Sequence, residues 1–139
     1  MLFRSGVARF QPSGWRATPH GILAVAVVAA ETDAEAERLA SSMDLNRLRR
    51  DRGQYLPLPS VEEALSYPYT DAERASLAHN RSRLFVGSPA TVMAKLQPMI
   101  TASQADELMV ITAVYDHDAR KKSYSLLADA FGLGNKAAA

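Results

Sequence analysis

The chain has 139 residues, enough for one domain, and its 47% hydrophobic and 22% charged content is that of an ordinary globular protein. A net charge of +1 gives no electrostatic case for nucleic acid or an anionic membrane as partner. The absence of cysteine excludes a disulfide framework, a thiolate metal site and a thiol nucleophile, and it leads us to expect a cytoplasmic setting. The longest apolar run, Ile22–Ala30, is too short to span a bilayer, and a signal peptide is not expected.

Residues 1–20 hold few periodic apolar positions and include Pro12, Gly14 and Pro19. They read as the tail of a helix or an irregular lead-in, expected to follow structure contributed by other sequence. Ile22–Ala30 reads as a strand buried on both faces, with small alanines where neighbours pack closely. Thr32-Asp-Ala-Glu35 is a capping-box pattern and should start a helix. Its inner face is predicted to carry Ala36, Leu39, Ala40, Met43 and Leu48. Arg47, Arg49 and Arg50 lie at its negative C-terminal end, and Gly53 ends it.

Residues 54–80 break this rhythm. Pro57, Pro59 and Pro68 exclude a long helix or a central strand, while Ser60-Val-Glu-Glu63 and Thr70-Asp-Ala-Glu73 predict two short helices. Excursions of this length in compact domains are commonly lids or binding loops.

Arg83–Val114 reads as one βαβ unit. Leu84, Phe85 and Val86 form a short strand, Gly87 turns the chain, Ser88 caps a helix and Pro89 fits its first position. Val92, Leu96, Met99 and Ile100 recur at helical spacing. Pro98 costs about 3 kcal/mol in a straight helix, which predicts a kink or an end near Gln97. Leu108–Val114 is apolar apart from Thr112 and reads as a second strand, parallel to the first and covered on both faces. Asp116 or Asp118 then caps a last helix with Tyr124, Leu127, Ala128 and Phe131 inward, closed by Gly132.

The result is an α/β domain of three parallel strands. Such a sheet is under-built as an independent fold, and it is the expected form of the last three βα units of a (β/α)₈ TIM barrel, with an insertion at about 54–80. In a barrel, polar groups at the C-terminal strand ends face the active site. Here these are Glu31 and Thr32 after the first strand, and Thr112, Tyr115, Asp116 and His117 after the last.

Several segments in order resemble the C-terminal part of the luciferase-like, flavin-dependent monooxygenases, in the branch close to bacterial luciferase. They are Phe10-Gln-Pro-Ser13, Pro19-His20, the junction Ala30–Leu39, Leu56-Pro-Leu-Pro-Ser60, Tyr67-Pro-Tyr-Thr70, Val86-Gly-Ser-Pro89, Ala105–Val110, and Tyr115-Asp-His-Asp-Ala-Arg120 with Ser123–Phe131. The resemblance spans residues 1–139 nearly throughout. It implies a barrel of well over twice this length, with these strands as the sixth, seventh and eighth. It also implies reduced FMN, or a deazaflavin in other branches, acting with molecular oxygen on a small organic substrate.

Tyr115 and His117 match a Tyr-x-His beside the family's flavin or substrate, where a phenol and an imidazole could donate to a developing anion. Thr112, Tyr115, His117, Glu31 and Thr32 are therefore the candidate cofactor-binding residues, and no catalytic residue is assigned. The bland account of each remains open: Asp116 and Thr32 are helix caps, His117 is solvated and Tyr115 packs. Ser88 is read as a plain N-cap rather than a phosphate site. His20 and His79 have no partners at ligand spacing, so no metal is expected. Neither Ser13 nor Ser88 has the base of a hydrolytic triad. The resemblance further implies a missing N-terminal half-barrel or self-association as partner. The competing expectation is a small stand-alone α/β binding or regulatory module.

Overall fold

The structure, a computed structural model, describes residues 9–133. Three strands, β1 (Ile22–Ala29), β2 (Leu84–Gly87) and β3 (Glu107–Ile111), form one parallel sheet. Five helices accompany them: α1 (Asp33–Asp51), α2 (Val61–Ser66), α3 (Asp71–Arg81), α4 (Pro89–Ser103) and α5 (His117–Ala130). The two short helices occupy the 54–80 excursion as expected, the second running one residue past it.

The order of the sheet is β2-β1-β3, and this corrects the expected consecutive winding. In Arg83–Val114 the two strands of the unit are parallel but not neighbours, because β1 lies between them. Val27 lies opposite Phe85 on one side, and Val25 opposite Val110 on the other. The odd-numbered residues Val25, Val27 and Ala29 pack with Val92 and Leu96 of α4 and Leu127 of α5. Val28 and Val86 pack with Ala36, Leu39 and Ala40 of α1 on the opposite face. The β1–α1–β2 and β2–α4–β3 crossovers run in opposite directions across the sheet, and right-handed connections of opposite direction place their helices on opposite faces. The sheet is open and no barrel is closed by it.

Burial also departs from the expectation of strands covered on both sides. Only the C-terminal half of β1 is buried, and Val27 and Val28 are fully enclosed. On the α1 face, Ile22 (45% exposed), Met109 (51%) and Ile111 (55%) meet solvent. The reason is that α1 lies over β2 and part of β1, and among the described residues no element covers the β1–β3 side of that face. β3 also ends at Ile111 rather than Val114, since the Thr112 amide donates to the Tyr124 hydroxyl at 3.0 Å instead of to a strand.

Pro98 neither ends nor shortens α4, which continues to Ser103. Pro98 is exposed, so the carbonyl it deprives of a partner faces water, while Leu96 and Ile100 hold the helix to the sheet. Met99 is 40% exposed instead of inward. In α1 Met43 packs half-buried against the core as expected, and the fully buried Leu45, not among the expected positions, packs with Leu48 and Ala64 beneath the excursion. In α5 the buried positions are Ser123 and Leu127, while Tyr124 lies half exposed.

Of the three capping-box patterns only Thr70–Glu73 closes reciprocally. Thr32 and Ser60 accept their helix amides, but Glu35 turns to Arg38 and Glu63 to Arg49. Two arginines at the end of α1 reach the excursion. Arg49 pairs with Glu63 of α2, and Arg52 pairs with Glu73 of α3 at 2.5 Å. Arg81 forms a fork with Asp44 at 2.7 and 2.8 Å. These pairs fasten the excursion to α1. Each exposed pair contributes at most about 1 kcal/mol, against about 1.5–3 kcal/mol for each enclosed valine or leucine. The apolar clusters decide the fold, and the ion pairs set the excursion's register.

Candidate functional site

The three strands are parallel, so the turns β1–α1, β2–α4 and β3–α5 gather along one end of the sheet. The first two are tied directly. Asp33, at the first position of α1, accepts the Ser88 amide at 2.6 Å and the Thr91 hydroxyl at 3.1 Å. These bonds hold its carboxyl below the ordinary aspartate range, the Ser88 amide contributing most. The N-terminus of α4, the natural place for an external anion, is thus filled by an internal one. Gly87 makes the approach possible, since a Cβ there would lie 2.6 Å from Thr91 Cγ2 and 2.9 Å from Asp33 Oδ1. The Ser88 N-cap reading holds, with Thr91 as the capped amide.

The predicted site residues separate into two groups. Thr32 is occupied as the N-cap of α1, accepting the Glu35 amide at 3.2 Å. Glu31 reaches across to Lys122 of α5 at 3.0 Å. Asp116 caps α5 through the Ala119 amide at 2.7 Å, and the exposed His117 ring lies 3.0 Å from the Arg120 guanidinium. Thr112 is buried, and among the described residues its hydroxyl has no hydrogen-bond partner. These groups lie along the same end of the sheet, but no bond joins Glu31, Thr112, Tyr115 and His117 into one constellation.

Tyr115 is the exception. It is 57% exposed and lines a groove of about 440 Å³ whose other walls are Leu56, Pro57, Leu58 and Ser60 of the excursion, with Arg49 and Glu63. The β3–α5 turn and residues 56–60 therefore come together although they are distant in sequence. Leu56 and Leu58 of the proline-spaced segment line the groove together with the Tyr115 ring, and the Arg49–Glu63 pair gives one wall a polar edge. The groove can hold a flat, partly apolar group against a phenol.

Some contributors carried no sequence signal of their role. Ser123 accepts the buried Ala29 amide at 2.9 Å at the point where β3 has already ended. Tyr124 does the same for Thr112, and Lys122 anchors Glu31. The spacing Ser123–Tyr124 after an N-cap marks only one helical face, and its meaning depends on where the sheet lies. Among the described residues no group of three His, Asp or Glu side chains could hold a metal ion, and no helix is long and apolar enough to cross a membrane.

No family model matches the chain. It is 39% identical over 129 residues to the uncharacterized protein YceB of Bacillus subtilis, covering 93% of this chain and 39% of that one. It is 34% identical over 126 residues to the uncharacterized protein YwcH of the same organism, covering 88% and 37%. With a luciferase-like monooxygenase of Escherichia coli it shares 30% identity over 128 residues, covering 92% and 37%. The crystal structure of apo-MsnO8 superposes with a TM-score of 0.85 at 35% identity, over 96% of this chain and 41% of that chain. The arrangement of strands and helices described here therefore recurs within a longer protein. The chain spans no more than 41% of the length of these relatives. Over most of its own length it is similar to proteins that include luciferase-like monooxygenases.

Proposed function

We propose that the chain is part of a flavin-dependent oxidoreductase, a monooxygenase of the luciferase-like kind acting with reduced flavin and molecular oxygen on a small organic substrate. The observation that carries this reading is the likeness to luciferase-like monooxygenases over 92% of the chain, at a strand-end surface that presents Tyr115 in a groove. FMN is the flavin we favour over a deazaflavin, on the resemblance to the branch near bacterial luciferase.

The residues present fit only one end of such a cofactor. Tyr115, Leu56 and Leu58 suit the edge of a flat ring system. Among the described residues the α4 N-terminus and Arg49 are not free for the phosphate end, because Asp33 fills the first and Glu63 engages the second. A flavin phosphate would be held by polypeptide beyond this chain. When bound, the flavin supplies the redox chemistry. In this reading the chain's own part is to bound the groove, keep water from the ring and present the Tyr115 hydroxyl, with His117 on the adjoining turn.

A fluorescence titration of reduced and oxidised FMN, with the mass followed by light scattering in the same buffer, tests the reading. Saturable binding that weakens in Tyr115→Ala supports it. Absence of binding, both by the chain alone and by a complex with a complementing polypeptide, overturns it. The second reading, a stand-alone α/β module, is favoured by the enclosed core around Val27, Val28, Val92 and Leu96. It requires a monomer or defined dimer that unfolds cooperatively and ignores flavin.

A further inference from the structure

Between α1, α2 and α3 lies a second hollow, of about 290 Å³, that shares no residue with the Tyr115 groove. Tyr67 and Tyr69 stand on it, half-buried, with ring centroids 4.8 Å apart and planes at 61°. The Tyr67 hydroxyl is fixed by the Arg52 guanidinium at 3.2 Å. Ala64 and Leu77 add apolar wall, and Glu37 and Asp44 of α1 supply two carboxylates. Aromatic rings, apolar walls and carboxylates around one hollow are the elements that recognise an organic cation.

The chain's own cations already use this hollow. The Arg74 guanidinium lies over the Tyr69 ring, 5.7 Å from its centroid. Arg74 is exposed, and among the described residues no carboxylate lies within ion-pair distance of it. A contact of this kind at an exposed site is weak and readily displaced. Arg81 is held more firmly, by Asp44 at 2.7 and 2.8 Å and by Glu37 at 3.0 Å. Even so, burial prevails over this fork at Asp44 and pushes its carboxyl above the ordinary aspartate range, with the Glu37 charge adding to the rise. A further cation beside the pair is therefore favoured. Burial raises the Tyr69 phenol too, and the Asp44 charge adds to it, so the carboxylate is felt at the ring.

We propose that this hollow binds a small organic cation carrying a methylated ammonium group, seated on the Tyr69 ring in place of the Arg74 guanidinium. The choice of cation follows from what the carboxylates have left. Arg81 already bonds both, so a guanidinium or a simple ammonium would compete with it for the same oxygens. A quaternary ammonium has no hydrogen to donate. It needs only the carboxylates' charge, a ring face and apolar contact for its methyls. With Arg74 swung aside, the charged groups left on the hollow are Glu37, Asp44 and Arg81, a balance that favours a cation. None of these residues lines the Tyr115 groove, so the site stands or falls apart from the flavin reading.

Calorimetric titration of the full chain with tetramethylammonium chloride, against ammonium and guanidinium chloride at matched ionic strength, tests this. Tetramethylammonium should bind saturably at a single site, about tenfold more tightly than either control. Arg74→Ala should tighten binding by about fivefold, and Tyr69→Leu should weaken it by about tenfold. Tyr69→Phe keeps the ring face and should keep the affinity. Arg50→Ala removes an exposed charge outside the hollow and should change nothing. Absence of saturable binding by both the parent and Arg74→Ala would overturn the proposal, as would binding that prefers either control or ignores Tyr69→Leu. Equal tightening by Arg50→Ala would reduce the Arg74 effect to net charge and overturn it as well. Where Tyr69→Leu melts below the parent by circular dichroism, nuclear Overhauser contacts between the ligand methyls and the Tyr67 and Tyr69 rings of the parent decide instead. Their presence supports the site and their absence removes it.

Discussion

Asp33 and Ser88, at the first turns of two different helices, are joined by a 2.6 Å hydrogen bond from the Ser88 amide to the Asp33 carboxylate. The bond ties the β1–α1 turn to the β2–α4 turn and places a negative charge at the positive end of α4. Because the folded carboxyl titrates below its unfolded value, this stabilisation is complete above the ordinary aspartate pKa of about 4 and fades as pH falls through the lower folded value. Asp33→Asn should lower the melting temperature at pH 7. The gap from the parent should close in acid, as followed by thermal melts between neutral pH and pH 2.

Gly87 should tolerate no side chain. Its φ of 151° disfavours L residues, and the Cβ of Gly87→Ala would press on Thr91 and Asp33. The expected loss is about 1–3 kcal/mol by urea unfolding. In the Asp33→Ala background the penalty should shrink, because one of the two neighbours is gone.

Ser123 and Ser42 are both fully buried serines, yet they predict opposite outcomes. Ser123→Ala leaves the Ala29 amide buried without its acceptor and should cost about 1–3 kcal/mol. The Ser42 hydroxyl has no hydrogen-bond partner among the described residues, so Ser42→Ala should be neutral or stabilising by up to about 1 kcal/mol. Chemical denaturation of the two variants side by side decides the matter.

Tyr115 gives the functional prediction. In a complex that binds flavin, Tyr115→Phe should keep the ring's packing and so leave flavin affinity within about threefold. Loss of the hydroxyl should lower turnover by about 10²-fold if the phenol assists proton transfer. Unchanged turnover would reduce Tyr115 to a packing role. Steady-state oxygen consumption measures it.

Much of the local structure was legible because it depends on neighbours in sequence. Gly87, Ser88 and Pro89 specify a turn, a cap and a first helical residue wherever the segment lies, and Thr70-Asp-Ala-Glu73 closes its own box. The three apolar strands, their parallel direction and the helical interior of the excursion follow from the same short-range rules. The candidate strand-end residues could be named, since a parallel sheet puts its turns at one end.

Strand order was decided only by the tertiary structure. Whether β3 joins β2 or crosses to the far side of β1 depends on which helix faces the even and odd residues of β1, and Ala24–Ala30 is apolar on both. Pro98 survives within α4 because that face points to water, which no local pattern reveals. The same holds for the groove. Tyr115 lines one groove with Leu56 and Leu58 because the Leu45, Leu48 and Ala64 cluster, with the Arg49–Glu63 and Arg52–Glu73 pairs, holds the excursion back against α1, and contacts so distant in sequence leave no periodic trace. The sequence by itself determined which segments are strands and helices and where most of the helices begin, since backbone sterics and capping act over a few residues. Which faces are covered, which edge stays open and which side chains meet were settled by packing between segments, where the same apolar residues serve more than one arrangement.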